Sequence, residues 1–338
     1  MSAAEDLATH APAVEAVPKR AMTLSAGTTI AILAVLVLVP AFTKNFVIFQ
    51  LTMLLIYGLA VLALNILTGG SGQFSLGQSA FYAIGAYTSA ILMEQYNVNY
   101  VLTLPVAGII CFGAGFLFGL PALRLSGVYL ALATFALATA MPQLLKLGFF
   151  EPWTGGVQGL VVTKPDAPFG LPIGQDAWLY YFTLAVTVAI YIFSINLLRS
   201  RSGRAFMAIR DNEIAASAMG IDVSLYKTLA FGVSAGITGV AGGLGAIAVQ
   251  FVAPDSYTIQ LAISLFLGMV VGGVGWLPGS FVGAAFIIFV PNMAENISKG
   301  LSGAVFGVLL FLVIFLVPHG ARQIAIVGQQ LIGKLKKS

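Results

Sequence analysis

The sequence predicts an all-α, polytopic membrane protein of about ten transmembrane helices that carries a broken or re-entrant segment. Three observations predict it. Of 338 residues, 59% are hydrophobic, and the 16 basic and 12 acidic side chains make up 8% of the chain, against about 25% in soluble domains. Mean hydropathy is +0.98. The 38 glycines suit helices that approach one another closely in lipid. Finally, the few charges segregate to alternate connections between the apolar runs.

Residues 1–22 read as a disordered cytoplasmic leader: Ala-rich, with Glu5, Asp6, Glu15 and two prolines among the first 20 and no apolar periodicity. Lys19 and Arg20 precede the first apolar run, Ser25 to Phe42. A signal peptide competes with an uncleaved first span, but the acidic leader is long and no clear A-x-A site follows the run. The transmembrane region is expected over 23–320, with crossings around 25–42, 47–67, 73–93, 101–120, 126–147, 177–198, 227–251, 258–276, 279–293 and 301–318, and a tail over 321–338.

Charge orients these spans. With the amino terminus inside, the inside segments hold Lys19, Arg20, Arg124, Arg199, Arg201, Arg204, Arg210, Lys227, Arg322, Lys334, Lys336 and Lys337. Only Lys44, Lys146, Lys164 and Lys299 fall outside. The bias places both termini in the cytoplasm. The net charge of +4 reflects these loops and carries no nucleic-acid signal.

Val47 to Met93 contains no Asp, Glu, Lys or Arg, yet LTGGSGQFSLG interrupts it, with Gly69, Gly70, Gly72 and Gly77 breaking the helical pattern. Irregular backbone inside a membrane must be satisfied by protein or water, and in transporters it often marks the pathway. Gly69, Gly70, Gly72, Gln73, Ser75, Gln78 and Tyr82 are therefore candidates for the translocation path, with Gln78, Tyr82 and Ser89 on one helical face. Polar packing between helices is the alternative for each of them. A second cluster, GGVGWLPG from Gly272 to Gly279, leaves 269–293 open between two crossings and a re-entrant segment. A third GG-x-G starts at Gly242, and so glycine-rich a chain makes such matches by chance. The small-xxx-small pairs Gly115/Gly119, Gly232/Gly236, Gly239/Gly243 and Gly303/Gly307 predict close helix contacts.

The longest external segment, 148–177, is rich in Pro and Gly, is expected to lack structure of its own, and leads into Trp178, Tyr180 and Tyr181 as interfacial anchors. On the inside, the arginine-rich stretch 199–226 reads as locally folded. Asp211 is expected to N-cap a short helix over Asn212 to Met219, Glu213 sits at its positive end, and Gly220 supplies the left-handed stop. A helix built on the cytoplasmic surface of a membrane protein presents itself to a soluble partner.

Enzymatic chemistry is nearly absent. The histidines are His10 and His319, the one cysteine is Cys111 in an apolar run, and no H-E-x-x-H, G-x-S-x-G or Walker sequence occurs. The spans hold almost no ionisable residue to carry a coupling ion. Energy for transport is therefore expected from another chain.

Five stretches in order carry a family resemblance: ALNILTGGSGQFSLGQSAFYAIGAYTSAIL, LPALRLSGVYLALATFALA, WTGGVQGL, SGRAFMAIRDNEIAASAMGID and GGVGWLPGSFVGAAF. With them the chain resembles permease subunits of branched-chain amino-acid ABC importers, the LivM-like inner-membrane half, from about residue 47 to 318. The resemblance implies a bacterial inner-membrane assembly of this chain with a homologous second permease, two cytoplasmic ABC ATPases that bind the ATP, and a periplasmic solute-binding protein. It implies an ATPase-coupling segment at Gly203, Arg204, Arg210, Asp211, Asn212, Glu213, Ala215, Ala216 and Gly220, and a loop facing the binding protein at Trp153, Thr154, Gly155, Gly156 and Gly159. No cofactor of its own is implied. The implied substrates are branched-chain or related hydrophobic amino acids, with urea, short amides or aromatic acids as alternatives. A channel or facilitator that works without an ATPase is the reading from another class, and it has no use for the helix in Arg199–Asp222.

Overall fold

The computed structural model describes residues 36–40, 43–123, 125, 127–168, 174–297 and 307. The expected leader, the last span at 301–318 apart from Gly307, the tail and most of the first span lie outside them. In chain order the elements are α1 (Asn45–Asn65), running into a π-helical turn (Ile66–Gly70), α2 (Gln78–Glu94), α3 (Tyr100–Ala122), α4 (Val128–Leu145), α5 (Glu151–Thr154) and β1 (Leu160–Val161). Then come α6 (Gln175–Arg199), α7 (Arg201–Asp211), α8 (Glu213–Ala218), α9 (Val223–Val249), β2 (Phe251–Val252), a 3-10 turn (Pro254–Tyr257), α10 (Ile259–Gly272) and α11 (Gly279–Ile297). Six helical stretches among the described residues are long and apolar enough to cross a membrane, with Gly279–Met293 a shorter apolar helix.

Helix α9 is the axis of the packing, lying along α3, α2 and α1. Between Thr228 and Ala248 most of its residues are buried, so it shows no polar stripe there. Its glycines permit this. A Cβ on Gly239 would strike the Cys111 side chain, one on Gly242 the carbonyl of Tyr82, and one on Gly85 of α2 the backbone of Gly239. Gly232 and Gly236 pack on Phe112, and Gly115 on Ala235. Lipid gives helices no hydrophobic reason to associate, so close backbone approach and its dispersion energy take that part. The expected pairs Gly115/Gly119, Gly232/Gly236 and Gly239/Gly243 are thus helix contacts. Gly303 lies outside the described residues, and with it the Gly303/Gly307 pair.

Helices α10 and α11 form a hairpin in which Gly268 opposes Gly283 and Gly272 opposes Gly279. At about 1.5 Å per residue α10 alone is shorter than a bilayer core of about 30 Å. The 3-10 turn extends the apolar stretch to Pro254–Gly272, 19 residues.

The connections gather at two ends. At one end α5, β1, β2 and the 3-10 turn form a cap, with β1 and β2 antiparallel through Leu160↔Val252 and Val161↔Phe251. The segment expected to lack structure therefore holds a helix and half of a ribbon, because Gly155, Gly156 and Gly159 take positive φ of 69°, 54° and 72° and reverse the chain tightly. Tyr180, expected as an interfacial anchor, is instead buried, and its hydroxyl donates to the Leu36 carbonyl at 2.8 Å. At the other end sit the π-helical turn, α7, α8 and the α10–α11 turn.

Candidate coupling site and the glycine break

At the second end, α7 and α8 are separate short helices. Ser200 caps α7 by accepting from the Gly203 amide at 3.4 Å, and Gly203, Ala205, Phe206 and Ile209 form its buried face. A Cβ on Gly203 would meet the carbonyls of Leu197 and Leu198. Phe206 joins Leu67, Phe81 and Phe231 in a satellite core.

The cap of α8 differs from expectation by one residue. Asp211 ends α7, while Asn212, with extended backbone (φ −160°, ψ 110°), accepts from the Ala215 amide at 3.0 Å. An N-cap must leave the helical region, and Asn212 does so where Asp211 does not. Glu213 pairs with Lys227 on α9 at 2.6 Å. Beyond the helix, Gly220 takes φ +79°, the Ile221 amide donates to the Ala216 carbonyl and the Gly220 amide to the Ser217 carbonyl. This pair of bonds closes the helix in a Schellman stop.

Ala216 faces inward, 4% exposed, and so belongs to the support of α8 and not to its outer face. The outer face carries Ala215 and Ile214, apolar residues that the sequence offers to a partner's groove, and Met219, which sequence reasoning had not placed in the site; Ile214 and Met219 are 83% and 84% exposed. The signal of Met219 was available: an apolar side chain directly before the glycine stop. Arg204 donates to the Arg199 carbonyl at 3.1 Å. Arg210 holds Asp211 at 3.0 Å and reaches the Gly69 carbonyl at 2.7 Å.

The irregular backbone from Gly69 to Gly77 is closed by this chain's own polar groups. Thr68 Oγ1 donates to the Gln73 carbonyl, and Ser71 Oγ to that of Leu67. Gln73 Nε2 donates to Ser71 Oγ at 2.9 Å and to the Lys227 carbonyl at 3.1 Å. The Leu76 amide finds Thr134 Oγ1 on α4, and the Gly77 amide finds Ser75 Oγ. Gly69 stands against Gly275 and Gly70 near Leu198, so the two glycine clusters of the sequence meet in space. Asn65, which sequence reasoning missed, joins them. Its Nδ2 donates to the carbonyls of Gly273 and Trp276 and to Ser280 Oγ, and its Oδ1 accepts from the Gly275 amide at 2.6 Å. A lone Asn ending an uncharged apolar helix beside a glycine run was the clue.

Gln78 and Tyr82 do not line an open surface. Gln78 is 1% exposed, donates to Ser234 Oγ at 2.9 Å and accepts from Thr238 Oγ1 at 2.7 Å, both on α9. Its amide is occupied within the chain, as the packing alternative requires. Tyr82 is buried in a ring cluster with Tyr57 and Tyr257, its hydroxyl against Gly245.

At the opposite end, Thr154 is buried and donates to the carbonyls of Leu145 and Phe150. Gly155 ends α5 in the left-handed region. Gly156 packs on Glu151, and Gly159 on the Val252 carbonyl of β2. Trp153 is exposed and meets Phe149 edge to face at 5.9 Å. Among the described residues no group of three or more His, Cys, Asp or Glu could hold a metal ion.

Residues 46–317 match the family described as the permease component of the branched-chain amino-acid transport system. The chain belongs to this permease family. It is similar to the high-affinity branched-chain amino-acid transport permease LivM of Salmonella typhimurium, 32% identical over 292 residues, covering 80% of this chain and 68% of the relative. The LivM of Escherichia coli matches to the same extent. The autoinducer 2 import permease LsrC of an Enterobacter species is 30% identical over 188 residues, 46% of this chain and 52% of the relative. No solved structure matches the chain. Family membership and six apolar helices of spanning length make it a multi-pass membrane permease, and the closed glycine break and outward-facing α8 are features of that permease.

Proposed function

We propose that this chain is the LivM-type permease of an ATP-driven, binding-protein-dependent importer of branched-chain amino acids in the bacterial inner membrane, with both termini cytoplasmic. It forms the translocation path with a homologous second permease, receives the external binding protein on the Trp153–Gly159 cap, and meets a cytoplasmic ATPase with α8. Helix α8 carries the proposal: a six-residue helix capped at both ends that holds Ile214 and Met219 out beside an arginine-rich surface. Apolar side chains so exposed suit an interface better than water, and a rigid element can transmit a push where a slack loop cannot.

The experiment is reconstitution with partner permease, ATPase and binding protein. The intact assembly is expected to accumulate leucine on ATP addition, and an Ile214→Asp, Met219→Asp variant to reach the membrane but lose ATPase association. ATP-independent leucine entry through this chain alone would favour the facilitator. The LsrC relative supports testing other solutes, and competition of leucine uptake by urea, short amides or aromatic acids would identify a different cargo. Single cysteines at Gln158 and Asn212 in a Cys111→Ala background are expected to label from opposite sides; labelling of both from outside would reverse the orientation.

A further inference from the structure

We propose that Arg210 is a positioning residue that ties the cytoplasmic segment to the glycine break, holding the Gly69 carbonyl, and is not itself a contact to the ATPase; this rests on the coupling function proposed above. The closing carbonyls of a helix have no partner within it and need one from outside. At the π-helical turn, the Leu67 carbonyl accepts from Ser71 Oγ at 2.8 Å and that of Thr68 from the Gly72 amide at 3.1 Å. The Gly69 carbonyl receives Arg210 Nη1 at 2.7 Å. The stem of the arginine is also held. Gly72, at φ +74°, lies against it so closely that an added Cβ would stand 3.0 Å from Arg210 Cγ. The remaining guanidinium edge, Nε and Nη2, is taken by Asp211 at 3.1 and 3.0 Å. All three nitrogens therefore bond inside this chain.

Gly69 in turn abuts Gly275, and Asn65 clamps the α10–α11 turn beside it. A displacement of α8 thus has a continuous path: through α7 to Arg210, to the π-helical turn, and to the turn between α10 and α11. Arg204 has no such reach, since it bonds the neighbouring Arg199 carbonyl. Arginine suits the task because its planar fork serves two acceptors at once, which a lysine ammonium does less well.

The test compares wild type, Arg210→Gln and Arg210→Lys in the reconstituted assembly, measuring ATPase dissociation constant, leucine uptake, and stimulation of hydrolysis by loaded binding protein. Arg210→Gln is expected to dock the ATPase within about twofold of wild type yet lose about tenfold in uptake together with the stimulation, since a hydrogen bond to a charged group carries roughly that weight. Arg210→Lys should recover part of both. Docking weakened about tenfold, with uptake restored by excess ATPase, would assign the arginine to the ATPase interface and overturn the proposal. Unchanged uptake and stimulation would overturn it too. If neither variant reaches the membrane, the arginine is a folding determinant and the positioning role falls. Failure of the wild-type chain to bind ATPase sinks the coupling function with it, whereas a normal wild type beside a normal Arg210→Gln sinks this proposal alone.

Discussion

The two ends of the molecule solve the same problem differently. Each must close irregular backbone between helices. At the arginine-rich end the closing groups are Asn65, Gln73, Thr134 and Arg210, which reach across the fold to partners far away in sequence. At the capped end, the half-buried Glu94 and the exposed Gln95 and Gln175 bond the loop surface, and the ion pairs Lys146–Asp255 and Lys164–Asp176 are at least partly open to water. Hydrogen bonds in a low-dielectric interior are strong and costly to leave unmade, while exposed ones exchange with water. The first end is therefore built as one linked body, and the second as a cap that can yield to whatever it meets.

The sharpest way to break that contrast is Asn65→Leu. It removes the donor for the Gly273 and Trp276 carbonyls and the acceptor for the Gly275 amide, and is expected to destabilise by about 3 kcal/mol or more. Thermal unfolding in detergent measures this, and a shift no larger than that of a surface variant would show that water reaches the break.

Gln78→Leu tests the same interior one helix away. Ser234 keeps its bond to the Ala63 carbonyl and Thr238 its bond to the Ser234 carbonyl, so the expected loss is about 1–2 kcal/mol, with uptake per assembled transporter unchanged. Altered uptake at normal stability would return Gln78 to the translocation path.

At the cap, Gly159→Ala places a Cβ against the Val252 carbonyl at a positive φ. The expected cost is about 1–3 kcal/mol, confined to the β1–β2 ribbon and read as faster local hydrogen exchange there. Loss of protection in α9 as well would mean that the cap is not a separate unit. The smallest effect belongs to Asp255→Asn, which opens the pair with Lys146 and should change stability by less than about 1 kcal/mol, with the difference fading as salt is added. A larger, salt-independent change would erase the contrast between the ends.

The sequence by itself determined the class and the positions of the spans that the structure describes. Runs such as Val223–Val249 need internally bonded backbone in lipid, and the run Gly69 to Gly77, with four glycines and polar residues between them, weakens the helical pattern there. Local chemistry was legible as well. Gly220 takes the left-handed stop and a short helix precedes it, although the cap fell to Asn212 because the backbone turns one residue later than Asp211. What only the tertiary structure decided was which surfaces face which. Ala215 and Ala216 are the same residue type side by side, yet one is outward and the other buried, and nothing in the composition of α8 distinguishes them. The partners of Gln78, Asn65 and Arg210 lie 156, 210 and 141 residues away. Membrane helices associate through small residues and polar pairs that many registers could offer, so a pattern of single residues cannot name the pair. The close approach of Gly69 to Gly275 selects it.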